Sequence, residues 1–494
     1  MTAIALDSDV LESRNPATGE LLATYPVDDA ASVQTAVDRA REASEWWRDL
    51  GFDGRRSRLQ TWKHTLVRRI DDLAQIMHDE TGKPFDDARL EAVLAIDHLG
   101  WAAKHAAKVL GPRRVPSGLV GINLAASVEY QPLGVVGVIG PWNYPVLTPM
   151  GSIAYALAAG NSVVYKPSEH SPGVGVWLAD TFAEAVPELP VFQVITGFGA
   201  TGAALCRSGV GKLGFTGSTA TGKKVMAACA ETLTPVLIEA GGKDAAIVAA
   251  DADLDAAADA IAFGAMGNAG QTCVGIERAY VESAVFDSFV EKVKVIAEGI
   301  QVGADAQLGP ITMPGQLPII QRHIEDALAR GGRAVVGGPE SVQAPYVHPV
   351  VLVDVPEDSE AVREETFGPT LTITRVASLD EAVNLANAGR YGLGSAIFSR
   401  SRKNAMELAR RLRTGMTSIN GVQSFAMVPS LPFGGTGDSG FGRIHGPDGL
   451  KEFTRPKAVA RQRFKPPANL LTFTRTAKDV TSTMKLLRLL HGKG

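Results

Sequence analysis

The chain has 494 residues, of which 45% are hydrophobic and 21% are charged, a balance that excludes a disordered or a collagen-like protein. Forty-nine Lys and Arg against 53 Asp and Glu give a net charge of −4, so nucleic acid is not expected as the main partner. Three cysteines cannot form a disulfide framework, and the N-terminal sequence MTAIALDSDVLES has no basic segment followed by an apolar run, which predicts a soluble protein of the cytoplasm.

The segment 1–110 is mostly helical in pattern, for instance over 31–47 and 55–80. Short apolar runs then alternate with helical patterns. The expected buried strands are 135–140, 162–167, 192–197, 212–217 and 245–250, and the expected helices between them are 151–160, 173–186, 200–208 and 221–231. A second series starts after about position 250 and continues to a strand at 395–399. The alternation predicts an α/β fold with parallel sheets covered on both faces.

One stretch, 130–165, has no Asp, Glu, Lys or Arg over 36 positions, which is long enough to span a bilayer. Four prolines break it, and broken backbone in lipid would leave amide groups without partners. We therefore interpret it as buried strands and a helix of the α/β core. No internal repeat or low-complexity linker is found, so the domains are expected to pack closely.

The C-terminal segment 464–494 differs from the rest of the chain, since it contains six Lys or Arg and one Asp. Val480, Met484, Leu487 and Leu490 recur at helical spacing among basic residues. The pattern predicts a helix that docks on the body or on a neighbouring subunit. The alternatives are a helix on a membrane surface, because basic amphipathic helices bind anionic lipid, and a disordered tail.

Three glycine-rich loops resemble nucleotide-binding signatures. Residues 197–202 match G-x-G-x-x-G, but no acidic residue ends a further strand at the distance typical of a dinucleotide site. Residues 217–223 fall one position short of a Walker A loop, because Lys224 replaces the Ser or Thr that would bind magnesium; ATP hydrolysis is therefore not expected. This second loop still joins a strand to a helix start, which favours phosphate binding. The third, 239–243, directly follows an apolar strand.

These loops belong to a series of eight short motifs that extends from position 15 to position 435. In chain order they are NPATGE (15–20), PWN (141–143), KPSE (166–169), GFTGS (214–218), EAGGK (239–243), GQTC (270–273), EETFGP (364–369) and PFGG (432–435). Each motif is weak alone. In this order they closely resemble the aldehyde dehydrogenase superfamily, and the resemblance covers nearly the whole chain except the basic tail.

The resemblance implies a fold with a Rossmann-type cofactor domain, an α/β catalytic domain and a small β-arm for oligomerisation. The cofactor domain would comprise 1–112 and 133–240, and the catalytic domain 241–436. The arm would comprise 113–132 and 455–464, with 465–494 as a basic tail. Such an arm has unpaired strand edges, so a homodimer or homotetramer that covers them is expected.

Cys273 is the candidate nucleophile, because it lies in a glycine-rich turn, whereas Cys206 and Cys229 lie in helical patterns and are expected to be buried. A thiolate can attack an aldehyde carbon to form a thiohemiacetal. The resemblance assigns the oxyanion donors to the Asn143 amide and the Cys273 backbone N–H. It assigns to Glu239 the general base that hydrolyses the thioester left after hydride transfer.

The resemblance also assigns the cofactor contacts. Lys166 and Glu169 would bind the adenosine ribose, Ser218 the pyrophosphate, and Glu365 the nicotinamide ribose, with Phe367 packed nearby. The remaining candidates are Trp142, Ser168, Gly217 and Gly241. Glu169 favours NAD because a carboxylate accepts from a free 2′-hydroxyl and repels a 2′-phosphate. NADP stays open, since Lys166 and Ser168 partly offset that repulsion. No metal site is expected.

The sequence departs from the family pattern at three places. Ala240 stands where Leu is usual, Thr436 follows PFGG where a hydrophobic residue is usual, and Ile444 stands where many members carry a Glu that relays protons. His445 is either a substitute for that relay or a core residue. Apolar neighbours of Cys273 favour an aliphatic or aromatic aldehyde over a semialdehyde, for which Arg278 would be the candidate anchor.

The resulting hypothesis is an NAD(P)-dependent aldehyde dehydrogenase that releases a carboxylic acid. Two alternatives stay open. In a CoA-acylating enzyme, CoA would take the acyl group instead of water, although that reaction needs no base at position 239. The other alternative is an inactive scaffold that only binds the nucleotide.

Overall fold

The computed structural model describes residues 9–118, 120–465 and 470–492. Residues 1–8, which carry most of the segment in which no signal peptide is expected, lie outside the described residues. So do residue 119 of the predicted arm and residues 466–469 and 493–494 of the predicted tail. The chain divides into two units, one formed by Met1–Val109 and Pro132–Thr454, the other by Leu110–Gln131 and Arg455–Gly494.

The helices, in chain order, are α1 (Ala30–Asp49), α2 (Gly51–Arg68), α3 (Ile70–Thr81), α4 (Phe85–Leu110), α5 (Leu147–Ala159), α6 (Pro172–Ala185), α7 (Gly199–Arg207), α8 (Thr219–Ala230), α9 (Leu254–Met266), α10 (Phe286–Gly299), α11 (Leu317–Ala329), α12 (Glu360–Arg363), α13 (Leu379–Asn387), α14 (Arg402–Arg411), α15 (Gly446–Glu452) and α16 (Ala477–His491). The strands are β1 (Val10–Arg14), β2 (Leu21–Pro26), β3 (Arg113–Val115), β4 (Leu124–Pro132), β5 (Val135–Ile139), β6 (Ser162–Lys166), β7 (Phe192–Val194), β8 (Lys212–Gly217), β9 (Val236–Ala240), β10 (Asp244–Val248), β11 (Ile276–Glu282), β12 (Arg333–Val336), β13 (Val342–Gln343), β14 (Tyr346–Val347), β15 (Val350–Val353), β16 (Thr370–Val376), β17 (Tyr391–Gly392), β18 (Ser395–Phe398), β19 (Ser418–Ile419), β20 (Thr436–Gly437), β21 (Gly440–Phe441) and β22 (Thr454–Gln462).

The first unit contains a six-stranded sheet in the order β21-β9-β8-β5-β6-β7. Its strands from β9 to β7 are parallel, and β21 pairs antiparallel with β9. The apolar runs at 135–140, 162–167 and 212–217 are therefore confirmed as buried strands. The run at 192–197 is a strand only over Phe192–Val194, and the chain turns further on at Gly197, whose φ of 144° is open mainly to glycine.

A seven-stranded sheet in the same unit has the order β12-β15-β16-β11-β10-β18-β19. It is parallel except for β12, which pairs antiparallel with β15. Asp244–Val248 belongs to this sheet, so the second α/β series begins there and not after position 250. The chain passes from one sheet to the other through the short 241–243 turn, which contains Gly241 and Gly242.

Helix α1 packs on β5, β6 and β7 of the six-stranded sheet, and α2 packs on α5 and α6. The helix predicted over 31–47 is confirmed as α1. The helix predicted over 55–80 is two helices, because the backbone leaves the helical region at Arg69, with φ −115° and ψ 28°. In the residues that the structure describes, no helix is long and apolar enough to cross a bilayer. The charge-free stretch 130–165 folds into the end of β4, then β5, α5 and most of β6.

The second unit holds the sheet β22-β4-β3, in which β3 and β4 are antiparallel, and the helix α16. The segments proposed as an arm thus contain strands, and the helical pattern in the tail is confirmed.

Candidate active site

A cleft of about 590 Å³ lies at the carboxyl ends of β5, β6, β8 and β9, where parallel sheets usually bind ligands. Eleven of the twelve predicted site residues line it: Trp142, Asn143, Lys166, Ser168, Glu169, Gly217, Ser218, Gly241, Cys273, Glu365 and Phe367. The structure therefore brings together residues that are far apart in the sequence. Glu239 is the exception, since it does not line the cleft, although its neighbours Ala240 and Gly241 do.

Lys166 ends β6, and its ammonium group donates to the carbonyl of Pro167 at 2.9 Å. A carboxylate oxygen of Glu169 lies 3.8 Å from the same nitrogen. Burial lowers the pKa of Lys166, while the Glu169 charge opposes that effect. Ser168 is buried and accepts from the backbone N–H of His170 at 3.3 Å. This corner of the cleft therefore presents a cation and a half-exposed carboxylate side by side.

Ser218 follows β8 and caps α8 by accepting from the backbone N–H of Thr221 at 3.2 Å. The first turn of a helix carries partial positive charge and N–H groups without helical partners. Gly199 and Gly202 of the G-x-G-x-x-G loop line the same cleft at the start of α7. Two helix starts thus meet the cleft, and both suit an anionic group.

Cys273 lies in a loop with unusual backbone geometry. Three successive residues before it, Asn268, Ala269 and Gly270, are left-handed, with φ of 54°, 55° and 72°. A Cβ at Gly270 would lie 2.0 Å from the carbonyl oxygen of Gly368, so no larger residue fits there. Strained backbone of this kind is held only by its surroundings.

Side-chain hydrogen bonds hold that loop in place. The amide nitrogen of Asn268 donates to the Asn143 carbonyl at 3.1 Å, and that of Asn143 donates to the Gln271 carbonyl at 3.0 Å. The Gln271 side chain in turn accepts from the backbone N–H of Thr312 at 2.8 Å. Asn143 is thereby fixed beside the cysteine loop, and one of its two amide hydrogens is left for another acceptor.

Cys273 is half-buried, whereas Cys206 and Cys229 are buried in the core, as predicted. Burial raises the pKa of the Cys273 thiol, and the nearby carboxylates of Glu239 and Glu365 raise it further. The backbone N–H of Val274 acts in the opposite direction. The thiol is therefore neutral until a nearby group takes its proton or supplies positive charge.

Glu239 lies near the end of β9 and is only 2% exposed. Burial raises the pKa of this carboxyl group well above its ordinary value, while the Arg443 charge lowers it. Among the described residues, its Oε1 has no hydrogen-bond partner. A Cβ at Gly434 would lie 2.8 Å from that oxygen, so the PFGG motif leaves room beside it. A buried carboxyl group whose pKa is raised in this way is a stronger proton acceptor, once ionised, than an exposed one.

Glu365 accepts from the backbone N–H of Gly242 at 2.9 Å, and burial raises its pKa to about 8. A Cβ at Gly241 would lie 2.2 Å from its carboxylate, which explains a glycine at that position. The Phe367 ring meets the Trp142 ring edge-on at 5.7 Å. These contacts place a carboxylate and two aromatic rings on one wall of the cleft.

Sequence reasoning missed several residues of the site. Asn268 and Gln271 position the cysteine loop, and His170, Gln316 and Met313 line the cleft. His170 meets Trp142 edge-on at 6.4 Å. Gln316 and Met313 come from a loop far along the chain and belong to none of the eight motifs. Asn268 and Gln271 are close to Cys273 in sequence, which is the one signal that could have indicated them.

Ile444, which departs from the family pattern, and its neighbour His445 both lie in the core. Ile444 is buried and pairs its backbone with Phe433. His445 is buried at φ 61° against the rings of His98, Tyr155 and Phe433, and its ring nitrogens have no hydrogen-bond partner in the part of the chain that is described. Burial lowers the pKa of His445 well below its ordinary value, so it is a neutral core residue.

Three further positions that the sequence singled out have defined surroundings in the structure. Thr436 donates to the Arg413 carbonyl at 3.0 Å, and Ala240 is buried in the core of the six-stranded sheet. Arg278 is 5% exposed, donates twice to the Lys243 carbonyl and once to the Tyr280 hydroxyl, and does not line the cleft. Its guanidinium is therefore committed to the fold.

Comparison with known proteins gives one consistent result. A model described as the aldehyde dehydrogenase family matches residues 4–459. A 4,4′-diapolycopene aldehyde oxidase of Methylomonas is 37% identical over 97% of this chain and 91% of that protein. A glutarate-semialdehyde dehydrogenase of Pseudomonas aeruginosa is 34% identical over 91% of this chain and 94% of that protein. The crystal structure of an NAD-dependent aldehyde dehydrogenase from Sinorhizobium meliloti superposes with a TM-score of 0.89 and 32% identity over 94% of this chain and 93% of that one.

Proposed function

Because this chain belongs to the aldehyde dehydrogenase family, which oxidises aldehydes to carboxylic acids with NAD or NADP, we propose that Cys273, Asn143 and Glu239 carry that chemistry here. The observation that carries the proposal is the half-buried Cys273 in a cleft that is also lined by Asn143 and by the nine residues that the resemblance assigns to the cofactor. The enzyme is then of the EC 1.2.1 type.

Cys273 acts as the nucleophile. Its thiol proton passes to water, the sulfur bonds to the aldehyde carbon, and the carbonyl electrons move onto oxygen to give a thiohemiacetal oxyanion. Loss of a hydride from the same carbon to a bound nicotinamide would then leave the thioester. The free amide hydrogen of Asn143 and the backbone N–H of Cys273 stabilise that oxyanion, each to an extent of about 3 kcal/mol. The long-range hydrogen bonds of Asn143 and Asn268 hold these donors in place before the substrate arrives.

The cleft fits a dinucleotide in size and in chemistry. Its volume of about 590 Å³ lies in the usual range for cofactor sites, and it offers helix starts for a pyrophosphate. Lys166, Ser168 and Glu169 would hold the adenosine ribose, Gly217 and Ser218 the pyrophosphate. Gly241, Glu365, Phe367 and Trp142 would hold the nicotinamide end, which accepts the hydride when bound. Glu169 makes NAD the preferred cofactor and leaves NADP as a weaker one.

Glu239 is proposed as the general base for the thioester. With its pKa raised by burial, the carboxylate can take a proton from water, which then attacks the acyl carbon and releases the acid and the Cys273 thiol. A base at this position argues for water as the acceptor. Neither this residue nor the relatives described above favour a CoA-acylating enzyme or an inactive scaffold.

The substrate proposed is an apolar aldehyde. Exposed Leu90, Met427, Val428 and Leu431 lie on α4 and the 427–431 loop, which meet where the His98 ring donates to the Ala426 carbonyl at 3.0 Å. Glu91 of the same helix accepts from the backbone of Val146 and Leu147, a few residues after Asn143. The helix that carries Leu90 is thereby bonded to the backbone that follows Asn143.

A semialdehyde needs a cation for its far carboxylate. Arg278, the candidate anchor, is committed to Lys243 and Tyr280. The name of the Methylomonas relative also points to an apolar aldehyde, whereas that of the Pseudomonas relative favours a semialdehyde as the second candidate.

We also propose the domain division inferred from the resemblance. The six-stranded sheet with the N-terminal helices would be the cofactor domain (1–112 and 133–240), and the seven-stranded sheet the catalytic domain (241–436). The strands in 113–132 and 455–464 would form an oligomerisation arm, because β3 and β22 are the edges of their sheet. A homodimer or homotetramer that covers these edges follows from this proposal, and we propose the cytoplasm as its location.

The test is the absorbance of reduced cofactor, followed with NAD or NADP and two sets of aldehydes, with and without CoA. One set contains aliphatic and aromatic aldehydes, the other succinic and glutaric semialdehyde. We expect NADH without CoA, and a kcat/KM at least about tenfold higher for the apolar set, since one unmatched buried charge costs more than that. Preference for semialdehydes would contradict the substrate proposal. NADH formed only with CoA would contradict the role of Glu239.

A further inference from the structure

The surface of the C-terminal helix α16 differs in exposure and charge from that of the other helices. It begins with a capping box, in which Thr476 and Asp479 exchange hydrogen bonds, and it extends over 15 residues without one buried side chain. Asp479 is the only acidic residue after position 463. Its carboxylate is already used at the helix start, so the remaining charged groups of the helix are basic.

Most of the exposed apolar side chains of α16 fall on one side. At about 100° per residue, Val480, Met484, Leu487 and Leu490 lie within an arc of roughly 120°. All four are exposed, and so is Leu486, which extends the arc, while Leu489 lies outside it. Phe473, just before the helix, is fully exposed as well. Water-exposed apolar surface on this scale indicates a contact with something apolar.

The basic residues lie on the other side. Lys478, Lys485 and Arg488 fall within an arc of roughly 80° that does not overlap the apolar arc. Arg475 and Lys465 precede the helix, so 464–494 carry a net charge of +5, against −9 for the rest of the chain. A helix with one apolar and one basic side matches a bilayer surface that has anionic headgroups above acyl chains.

We propose that α16 binds the surface of an anionic membrane, with Val480, Met484, Leu487 and Leu490 among the acyl chains and the three basic residues at the phosphates. A second copy of the chain is the alternative occupant of the apolar side, and a change of molar mass on substitution of that side would identify it. The proposal rests on the proposed function in one respect: apolar aldehydes concentrate in bilayers, which gives an enzyme that oxidises them a reason to bind there.

The test is co-sedimentation of the full chain with vesicles of phosphatidylcholine alone or of phosphatidylcholine mixed with an equal amount of phosphatidylglycerol. We expect partitioning onto the anionic vesicles to be at least about tenfold stronger and to fall as sodium chloride is raised. Two variants separate the contributions: K485E/R488E removes the preference for anionic lipid, and M484S/L487S/L490S removes binding altogether. R402E/K403E changes two exposed basic residues of α14 and serves as the matched control, which keeps full binding.

Equal binding of wild type and the triple serine variant would overturn the proposal. So would the absence of vesicle binding together with a change of molar mass in that variant, measured by light scattering, because α16 would then contact another copy. Turnover of a short water-soluble aldehyde is expected to be unchanged in both tail variants. A wild-type chain that turns over this aldehyde but does not bind vesicles rejects only the membrane contact, whereas no turnover in the wild-type chain rejects the proposed function.

Discussion

The two ends of the cleft are built in different ways. At the nucleotide end, Lys166, Ser168 and Ser218 make their hydrogen bonds to near neighbours in the sequence, and Glu169 is half-exposed. At the reactive end, Asn143 bonds to a residue 128 positions away and Glu365 to one 123 positions away, and Glu239 is buried without a partner for one oxygen among the described residues.

This difference has a physical consequence. When one residue at the nucleotide end is replaced, the hydrogen bonds of the others should remain, because each of these residues bonds within its own turn. The reactive end depends on groups that only the complete fold brings together, in a site where burial shifts pKa values. Substitutions at the reactive end should therefore lower turnover strongly, whereas those at the nucleotide end should change cofactor choice.

The largest effect is expected for Cys273→Ala. Without the sulfur no thiohemiacetal forms, and kcat/KM should fall on the order of 10⁴-fold or more. Binding of NAD, followed through the fluorescence of Trp142 in the cleft, should be unchanged. Cys229→Ala, which removes a buried thiol outside the cleft, is the control and should keep activity within about twofold. Turnover that survives in Cys273→Ala would show that Cys273 is not the nucleophile.

Asn143→Ala should have the next largest effect. The oxyanion loses its side-chain donor, and removal of one such donor typically lowers kcat by about 10²–10³-fold. The KM for NAD should change little, because the lost contact is made at the carbonyl oxygen. A variant with a normal kcat and a raised KM for NAD would place Asn143 at the nucleotide end instead.

Glu169→Gln should have the smallest effect on rate and the clearest effect on cofactor choice. The substitution removes the repulsion of a 2′-phosphate and frees Lys166, which lies 3.8 Å from the Glu169 carboxylate. We expect the ratio of kcat/KM for NADP to that for NAD to rise about tenfold, with kcat nearly constant. An unchanged ratio would show that another residue selects the cofactor.

The contrast between the two ends also explains what could be predicted from the sequence. The strands β5, β6 and β8 are short apolar runs, so their ends and the motifs that follow could be placed on one sheet edge. The family resemblance then indicated the partners across the cleft. The helix break at Arg69 and the sheet to which Asp244–Val248 belongs could not be predicted, because tertiary packing and a glycine turn decide them.

The rest of the site depends on tertiary contacts. Asn268 and Gln271 position the cysteine loop through bonds to Asn143 and Thr312, which no local pattern reveals. The sequence left His445 open as a relay or a core residue, and the rings of His98 and Tyr155 around it decide for the core. The sequence left Arg278 as a candidate anchor for a semialdehyde, whereas its two hydrogen bonds to the Lys243 carbonyl commit the guanidinium to the fold.

The most direct test of the central claim is the Glu239→Gln variant, because it separates the oxidation step from hydrolysis of the thioester. Steady-state turnover should fall about 10²–10⁴-fold when the base is removed. Chemistry at Cys273 should continue up to the acyl enzyme, giving a burst of one NADH per active site and an acyl mass on the Cys273 peptide. Glu231→Gln, at an exposed carboxylate paired with Arg207, is the matched control.

The pH dependence of kcat is a second test of the role of Glu239. Burial raises the pKa of Glu239, and only its ionised form can take a proton, so wild-type kcat should rise with pH through that pKa. The rising limb should disappear in Glu239→Gln. A burst with a trapped Cys273 thioester and a flattened pH profile is the result predicted here. Loss of the burst itself, or full turnover without the carboxylate, would contradict the assignment of Glu239 as the hydrolytic base.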